Sequence, residues 1–417
     1  MKAQVGVKDR ERIEDPRSGG VLLTGATGFV GMELLARFLE RTDRHVYALV
    51  RGADDRAAAA RVERRLRSLF GAGHPYAERV TAVRGDVTRP DLGLRDGEWL
   101  AERISEIVHG AASVSFELEL KASRAINVQG TKRVLELAER CQARGGLRRL
   151  SYISTAYVAG EHRGCFSEDD LDVGQSFRNA YERSKFEAES LVARARRRLP
   201  ITVLRPSIVV GERDSGWTAS FNVLYWPLRA FSRGAYLALP ARRGAPVDVV
   251  PVDYVADAIF ALSQAPEADG STYHLTAGAD ATTVGELIEL ATVRFGRPAP
   301  RLIAPGLYRR VVHPLLVRAS GDQRHRRALA RSKVFFPYFA MGVVYDDRRS
   351  RVALRAAGIE PTPLRRYFDR LVDFALAAEW GRQPIPRAGA MGGTAPSLVR
   401  RPVVPVPASP ARSAVGR

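Results

Sequence analysis

Short apolar runs alternate along this chain with longer stretches in which apolar residues recur three and four positions apart. Runs of the first kind suit strands buried on both faces of a parallel sheet, and stretches of the second kind suit the helices that cover it. The runs predict strands at Val21–Thr24, Val46–Val50, Val80–Arg84, Ile107–His109, Leu150–Ser154, Ile201–Leu204 and Val247–Val250. The periodic stretches predict helices over Glu33–Arg41, Arg56–Phe70, Lys121–Arg144 and Asn179–Arg198. With no internal repeat, this βαβαβ order points to an α/β fold built on a doubly wound parallel sheet.

The pattern fades at both ends. Residues 1–19 are polar with alternating charge and read as a flexible arm, and from Gly381 the chain turns to Pro, Ala, Gly, Val and Arg and reads as a disordered tail over 381–417. Between them we expect a catalytic domain over 20–280 and a smaller, mostly helical substrate or lid region over 281–380. A run of roughly 18 apolar residues, as a membrane span needs, does not occur. The segment Phe335 to Val344 (FFPYFAMGVV) suits core filling, with peripheral contact to a membrane surface as the alternative.

Composition narrows the picture a little further. The net charge of +19 is almost all arginine and attracts phosphates, acidic carriers, anionic lipid or nucleic acid without choosing among them. No helix-turn-helix, zinc module or basic–aromatic interleaving favours nucleic acid, so no nucleic-acid partner is expected. Cys141 and Cys165 give neither a disulfide framework nor metal spacing, and His109, His162, His274 and His313 read as structural. With no signal-peptide pattern behind the charged N-terminus, the expected compartment is the cytoplasm. Nothing in the pattern fixes an oligomeric state.

Chemistry enters where the first strand runs into Thr24-Gly25-Ala26-Thr27-Gly28-Phe29-Val30-Gly31 and a helix begins. Gly25 suits the tight turn, Gly28 the approach of a pyrophosphate to the backbone, and Gly31 close packing of helix on strand. The helix start offers unpaired N–H groups and a positive dipole end. Gly25, Thr27, Gly28, Phe29, Val30 and Gly31 are therefore the candidate phosphate-binding set of a Rossmann-type dinucleotide site. At the end of the second strand, where Asp or Glu would take a ribose 2′-hydroxyl, the chain has Arg51, which suits a 2′-phosphate and favours NADP(H). The alternative is a surface arginine, with Asp54 or Asp55 taking the hydroxyl. Asp86 and Val87 fall where the adenine edge would lie, and Ala111 and Ala112 after the fourth strand leave room for the cofactor.

A second constellation follows the fifth strand. Thr155 stands just past its end, and Tyr181 and Lys185 lie four apart within a helical pattern, on one face. An ammonium beside a phenol stabilises phenolate and lowers its pKa. Tyr181 is then a proton donor to a carbonyl oxygen, Thr155 a second hydrogen bond to it, and Lys185 the holder of the nicotinamide ribose. The chain has six lysines and 13 tyrosines, so chance gives this spacing only about 0.2 times.

Taken together, TGATGFVG, Asp86, Asn127-Val128-Gln129-Gly130-Thr131, Thr155, Tyr181, Lys185 and Leu204-Arg205-Pro206-Ser207-Ile208-Val209-Val210-Gly211 resemble the extended short-chain dehydrogenase/reductase superfamily from about Gly20 to Gly278. That resemblance implies that Pro206, Ser207 and Ile208 contact the nicotinamide end and that Asn127 is structural or part of a proton relay. Leu49-Val50-Arg51, His109 to Phe116, Ser154 to Val158 and Val249 to Val255 look like the thioester reductase and fatty acyl-CoA reductase branch, the male sterility type. Membership there implies NADPH-dependent reduction of an acyl thioester, on CoA or an acyl carrier protein, to aldehyde or alcohol. Sugar-nucleotide dehydratases carry an Asp-Glu pair after the catalytic threonine, and here Ala156 and Tyr157 follow; Arg51 disfavours an epimerase that recycles bound NAD. A dehydrogenase of steroid-like substrates stays open, because Trp217 to Leu239 suits any hydrophobic ligand as well as plain core. So does a non-enzymatic NADP-sensing scaffold. Over Pro300 to Trp380 the likeness is loose, and Arg309, Arg310, Arg324, Arg326 and Arg327 suit a lid, a carrier-docking surface or a membrane-facing helix.

Overall fold

The computed structural model describes residues 19–391 apart from 145, 222, 237, 309, 311–313, 315–317 and 319–335. Seven strands make the central sheet: β1 (Gly20–Thr24), β2 (Val46–Val50), β3 (Val80–Arg84), β4 (Ile104–His109), β5 (Arg149–Ile153), β6 (Ile201–Pro206) and β7 (Thr272–Leu275). All neighbours are parallel, in the order β7-β6-β5-β4-β1-β2-β3. The order reverses between β1 and β4, so the loops leaving these two strands diverge and open a crevice.

Alternation along each strand feeds two cores. Val21 and Leu23 of β1 pack with α1 (Phe29–Arg41), α2 (Asp55–Phe70) and α5 (Val252–Gln264) on one face. Leu22 points the other way, to α3 (Leu120–Ala143) and α4 (Ala180–Ala195). Each such leucine, 0% exposed, contributes about 2 kcal/mol. Among the described residues no helix is long and apolar enough to cross a membrane.

Two expectations are corrected. Val247–Val250 is not a strand of the central sheet: Pro246–Val247 pairs antiparallel with Thr282–Thr283, and Val249–Pro251 pairs parallel with Ile208–Val210. The break falls at Asp248, whose carboxylate accepts backbone N–H bonds from Ala277 and Gly278 at 2.8 and 2.9 Å. The seventh strand is β7, hidden in the sequence by the polar Thr272 and His274. His274 is fully buried, its Nδ1 2.8 Å from the Asp346 carbonyl and its Nε2 3.1 Å from Arg205.

A third core crosses the expected boundary near residue 280. It joins Tyr157, Phe166, Leu224 and Phe231 to Leu287, Met341, Tyr345 and Leu371. Helices Tyr225–Ser232, Val284–Phe295 and Phe368–Ala377 build it together with short strands, Arg163–Phe166 pairing with Gly342–Tyr345 and Ala238–Pro240 with Arg301–Ile303. The FFPYFAMGVV segment serves this core through the buried Tyr338, Met341 and Val343. Of the expected docking arginines, only Arg310 lies among the described residues, as His313 does not. Within the stretch expected as a loose tail, residues 382–391 are described and Arg387 is buried, while 392–417 lie outside the described residues.

Burial pushes both sheet histidines, His109 and His274, down to about 3. Between the ordinary value of 6.5 and about 3 the unfolded chain binds protons that the folded chain refuses. Stability therefore falls as acid is added, each histidine contributing a loss on the order of 1 kcal/mol per pH unit. Urea midpoints measured at neutral pH and near pH 5 should show this loss, and His274→Gln should flatten its slope.

Candidate active site

At the crevice the backbone of two loops meets. Gly25 has φ +79°, and a Cβ on it would stand 2.7 Å from the Gly110 carbonyl carbon; one on Gly31 would stand 2.0 Å from the Gly25 carbonyl oxygen. Gly28 differs: a Cβ there would meet only the Gly25 oxygen, at 3.2 Å, with open space otherwise. Gly28 also caps α1 without a side-chain bond, so the first N–H groups of the helix face that space. Thr27 and Val30 are half-buried around the turn, and Phe29 packs on Trp217 with ring centroids 6.0 Å apart. These residues fit a dinucleotide pyrophosphate.

The residues expected on the adenosine side stand at the ends of β2 and β3. Arg51 is exposed there and near Asp86. Burial would raise the Asp86 carboxyl, but bonds from the Thr88 N–H and hydroxyl, with Arg51 and Arg89 nearby, hold it below its usual value. Val87 is buried against Gly130. Asp54 caps α2 by accepting the Ala57 N–H at 2.7 Å, and Asp55 pairs with Arg84 and Arg95.

On the other side of the crevice β5 delivers Thr155, and α4 begins at Ala180 with Asn179 as its cap, accepting the Glu182 N–H at 3.0 Å. This cap sets Tyr181 in the first turn and Lys185 one turn on. All three of Thr155, Tyr181 and Lys185 are buried. Burial pushes the Tyr181 phenol up to about 12, while a hydrogen bond with Thr155 pulls the other way. Lys185 Nζ donates to the Ile153 carbonyl at 2.8 Å and to the Tyr152 hydroxyl at 3.0 Å, and burial brings it down to about 7. The expected lowering of the tyrosine by the lysine is thus corrected: the ammonium turns to the end of β5, and desolvation dominates the phenol.

Asn127 ties the site together. Its side chain bonds Ser113 N–H and carbonyl at 2.8 and 3.1 Å and donates to Ser184 Oγ at 2.9 Å, pinning the loop of Ala111 and Ala112 to α4. Beyond it, Pro206 accepts a long bond from Thr155 Oγ1 at 3.4 Å, and Ser207 and Ile208 are buried beside it. His109 joins β4 to Thr24 and Thr131 at 2.7 and 3.1 Å, a structural role, and no metal-binding group occurs among the described residues.

Sequence reasoning missed Tyr338. Its ring stacks on Phe116 at 5.2 Å, Phe116 packs on Tyr181 at 5.6 Å, and its hydroxyl donates to Glu182 at 2.7 Å and accepts from Asn179 at 2.6 Å. No local signal in FFPYFAMGVV marks one aromatic as a neighbour of α4. Tyr338 and Tyr157 form one wall of a cleft whose other walls include Ile208, Val223, Leu224, Leu287 and Met341, with Asp248 at its edge. The Trp217 to Leu239 segment thus divides, Val223 and Leu224 lining the cleft and Trp217 filling core.

The sheet order and the glycine turn at its switch point define a dinucleotide-binding protein of the Rossmann type. Residues 23–259, more than half of the chain, match the NAD-binding family described as male sterility protein, and the chain belongs to that family, on the thioester reductase branch. It is 34% identical over 271 residues to glycine betaine reductase ATRR of Emericella nidulans, covering 61% of this chain and 21% of that protein. With the fatty acyl-CoA reductase wat of Drosophila melanogaster it shares 28% over 282 residues, 58% of this chain and 53% of that one. The chain thus spans about a fifth to about half of these curated relatives. The crystal structure of the terminal R domain from the myxalamid PKS-NRPS pathway superposes with a TM-score of 0.75 at 30% identity, over 88% of this chain and 92% of that one.

Tyr338→Phe tests the wall beside Tyr181. Losing the hydroxyl strips the buried Glu182 and Asn179 of a partner and should cost about 1–3 kcal/mol in chemical denaturation. An unchanged denaturation midpoint would show that these bonds carry no net stability.

Proposed function

We propose that this protein reduces acyl thioesters, carried on coenzyme A or an acyl carrier protein, to aldehydes or alcohols with NADPH. The observation that carries this reading is the pair of buried hydroxyls, Thr155 and Tyr181, with Tyr181 reaching the wall of an apolar cleft through Phe116 and Tyr338, in a fold whose glycine turn is open at Gly28. The names of the relatives, a glycine betaine reductase and a fatty acyl-CoA reductase, and the likeness to a terminal R domain support the substrate class.

The nicotinamide, when bound, supplies a hydride to the thioester carbonyl carbon. The chain's own part is to receive the charge that develops on the carbonyl oxygen. Thr155 and Tyr181 donate to that oxygen, and a phenol at about 12 holds its proton at neutral pH, which suits a donor. Proton transfer from Tyr181 gives a hemithioacetal; its collapse returns the hydroxyl proton to the Tyr181 phenolate and breaks the C–S bond, and the departing thiolate takes a proton from solvent as aldehyde forms. A hydride from a second NADPH and a proton from Tyr181, restored from solvent, give the alcohol. Lys185, which burial brings down to about 7, would hold the nicotinamide ribose in this reading.

NADPH rather than NADH is supported by Arg51, exposed where a 2′-phosphate would sit, and by the engagement of Asp54 and Asp55 in a helix cap and ion pairs. Nicotinamide oxidation should proceed with acyl-CoA or acyl-carrier thioesters and NADPH, and far more slowly with NADH. Activity on ketosteroid alone would overturn the substrate class.

Two variants sharpen the assignment. Tyr181→Phe should lower kcat by about 100-fold or more with NADPH affinity intact; wild-type turnover refutes the proton-donor role. Arg51→Ala should weaken NADPH binding by about tenfold or more and leave NADH unaffected, as titration calorimetry would record.

A further inference from the structure

Composition makes everything after Gly381 look loose, yet Arg387 is 8% exposed and wedged among carboxylates. Its guanidinium stands 2.9 Å from Glu33, 2.9 Å from Glu212 and 4.0 Å from Glu40. Glu33 and Glu40 belong to α1, the helix behind the glycine turn, and Glu33 is itself 0% exposed two residues after Gly31. Two residues before Arg387, the Ile385 carbonyl accepts the indole N–H of Trp217 at 3.0 Å. Trp217 is 1% exposed and lies against Phe29, the first residue of α1. This stretch therefore grips α1 twice, at Glu33 by charge and at Phe29 through the indole.

We infer that residues 385–387 form a strap that fixes the dinucleotide-binding end of α1, with Arg387 as a positioning residue for the cofactor. Two physical effects run through it. The first is charge: a buried Glu33 within two turns of the helix start opposes a nucleotide pyrophosphate unless its charge is matched, and Arg37 and Arg387 match it. Without Arg387, Glu33 and Glu212 repel one another across the space the guanidinium fills. The second is geometry: the Ile385 carbonyl orients the Trp217 ring, the ring backs Phe29, and Phe29 carries the first N–H of α1. The inference rests on the nicotinamide-nucleotide site alone and is independent of which substrate is reduced.

The test uses the full chain and NADPH without substrate, read by nucleotide fluorescence, followed by steady-state kinetics. Arg387→Met should weaken NADPH binding by about tenfold or more and raise the KM for nucleotide, with kcat changed by less than about twofold. Arg387→Lys, which restores the charge, should recover most of the affinity. A merely structural role would instead lower kcat and leave the folded fraction's affinity as it was. Trp217→Phe keeps an aromatic ring in the core, removes the bond to Ile385 and leaves a small cavity beside Phe29; it should weaken binding several-fold and serves if Arg387→Met does not fold. Wild-type NADPH affinity in either folded variant overturns the strap. A wild-type chain that binds NADPH but reduces no thioester would sink the proposed reaction and leave the strap standing, whereas one that binds no nicotinamide nucleotide sinks both.

Discussion

Two backbone segments touch at the carboxyl ends of β1 and β4, and the rest of the site is laid out around that contact. No side chain fits at Gly25 against Gly110, or at Gly31 against the Gly25 carbonyl. The turn is therefore as tight as backbone allows, and α1 starts directly above the sheet. Because strand order reverses here, the two loops part beyond the contact, and the space between them faces both the N–H groups of α1 and the end of β5. In the proposed reaction a nucleotide seated on one side reaches Thr155 and Tyr181 on the other.

Burial governs the electrostatics of what faces that space. Tyr181, Thr155 and Lys185 are all removed from water, which keeps the phenol protonated and brings the lysine close to neutrality. Such groups hold position because their surroundings are bonded in turn: Asn127 fixes the Ser113 loop against α4, and Asn179 caps the helix while donating to the Tyr338 hydroxyl. A site of this kind suits proton donation to an oxygen that becomes charged during reaction, since preorganised donors need no rearrangement as charge develops.

The cleft beside Tyr181 has no single segment of origin. Tyr157 comes from the turn after β5, Ile208 from the strand after β6, Leu287 from helix Val284–Phe295, and Tyr338 and Met341 from a stretch far along the chain. Differences among related reductases in these late segments can alter the cleft without touching the sheet, because its walls belong to a separate core.

Local periodicity carried the sheet's first six strands and four of its helices, since each depends on the burial of its own residues. The boundaries moved by only a few positions, as with β4 beginning at Ile104 rather than Ile107. The glycine turn and the Tyr181/Lys185 pair were legible for the same reason: a tight turn and a four-residue helical spacing are properties of a few consecutive residues. β7 was hidden because its burial is satisfied by distant partners, Arg205 and the Asp346 carbonyl, that allow a histidine inside a sheet. Tyr338 and Arg387 were hidden more completely, since an aromatic in an apolar run and an arginine in a polar tail look the same wherever they end up. Their partners, Glu182 and Glu33, lie more than 150 residues away. The sequence by itself determined six of the sheet's strands, the glycine turn and the spacing of Tyr181 and Lys185; only the tertiary structure decided the seventh strand and what encloses them, because desolvation and ion pairing depend on which distant segments meet.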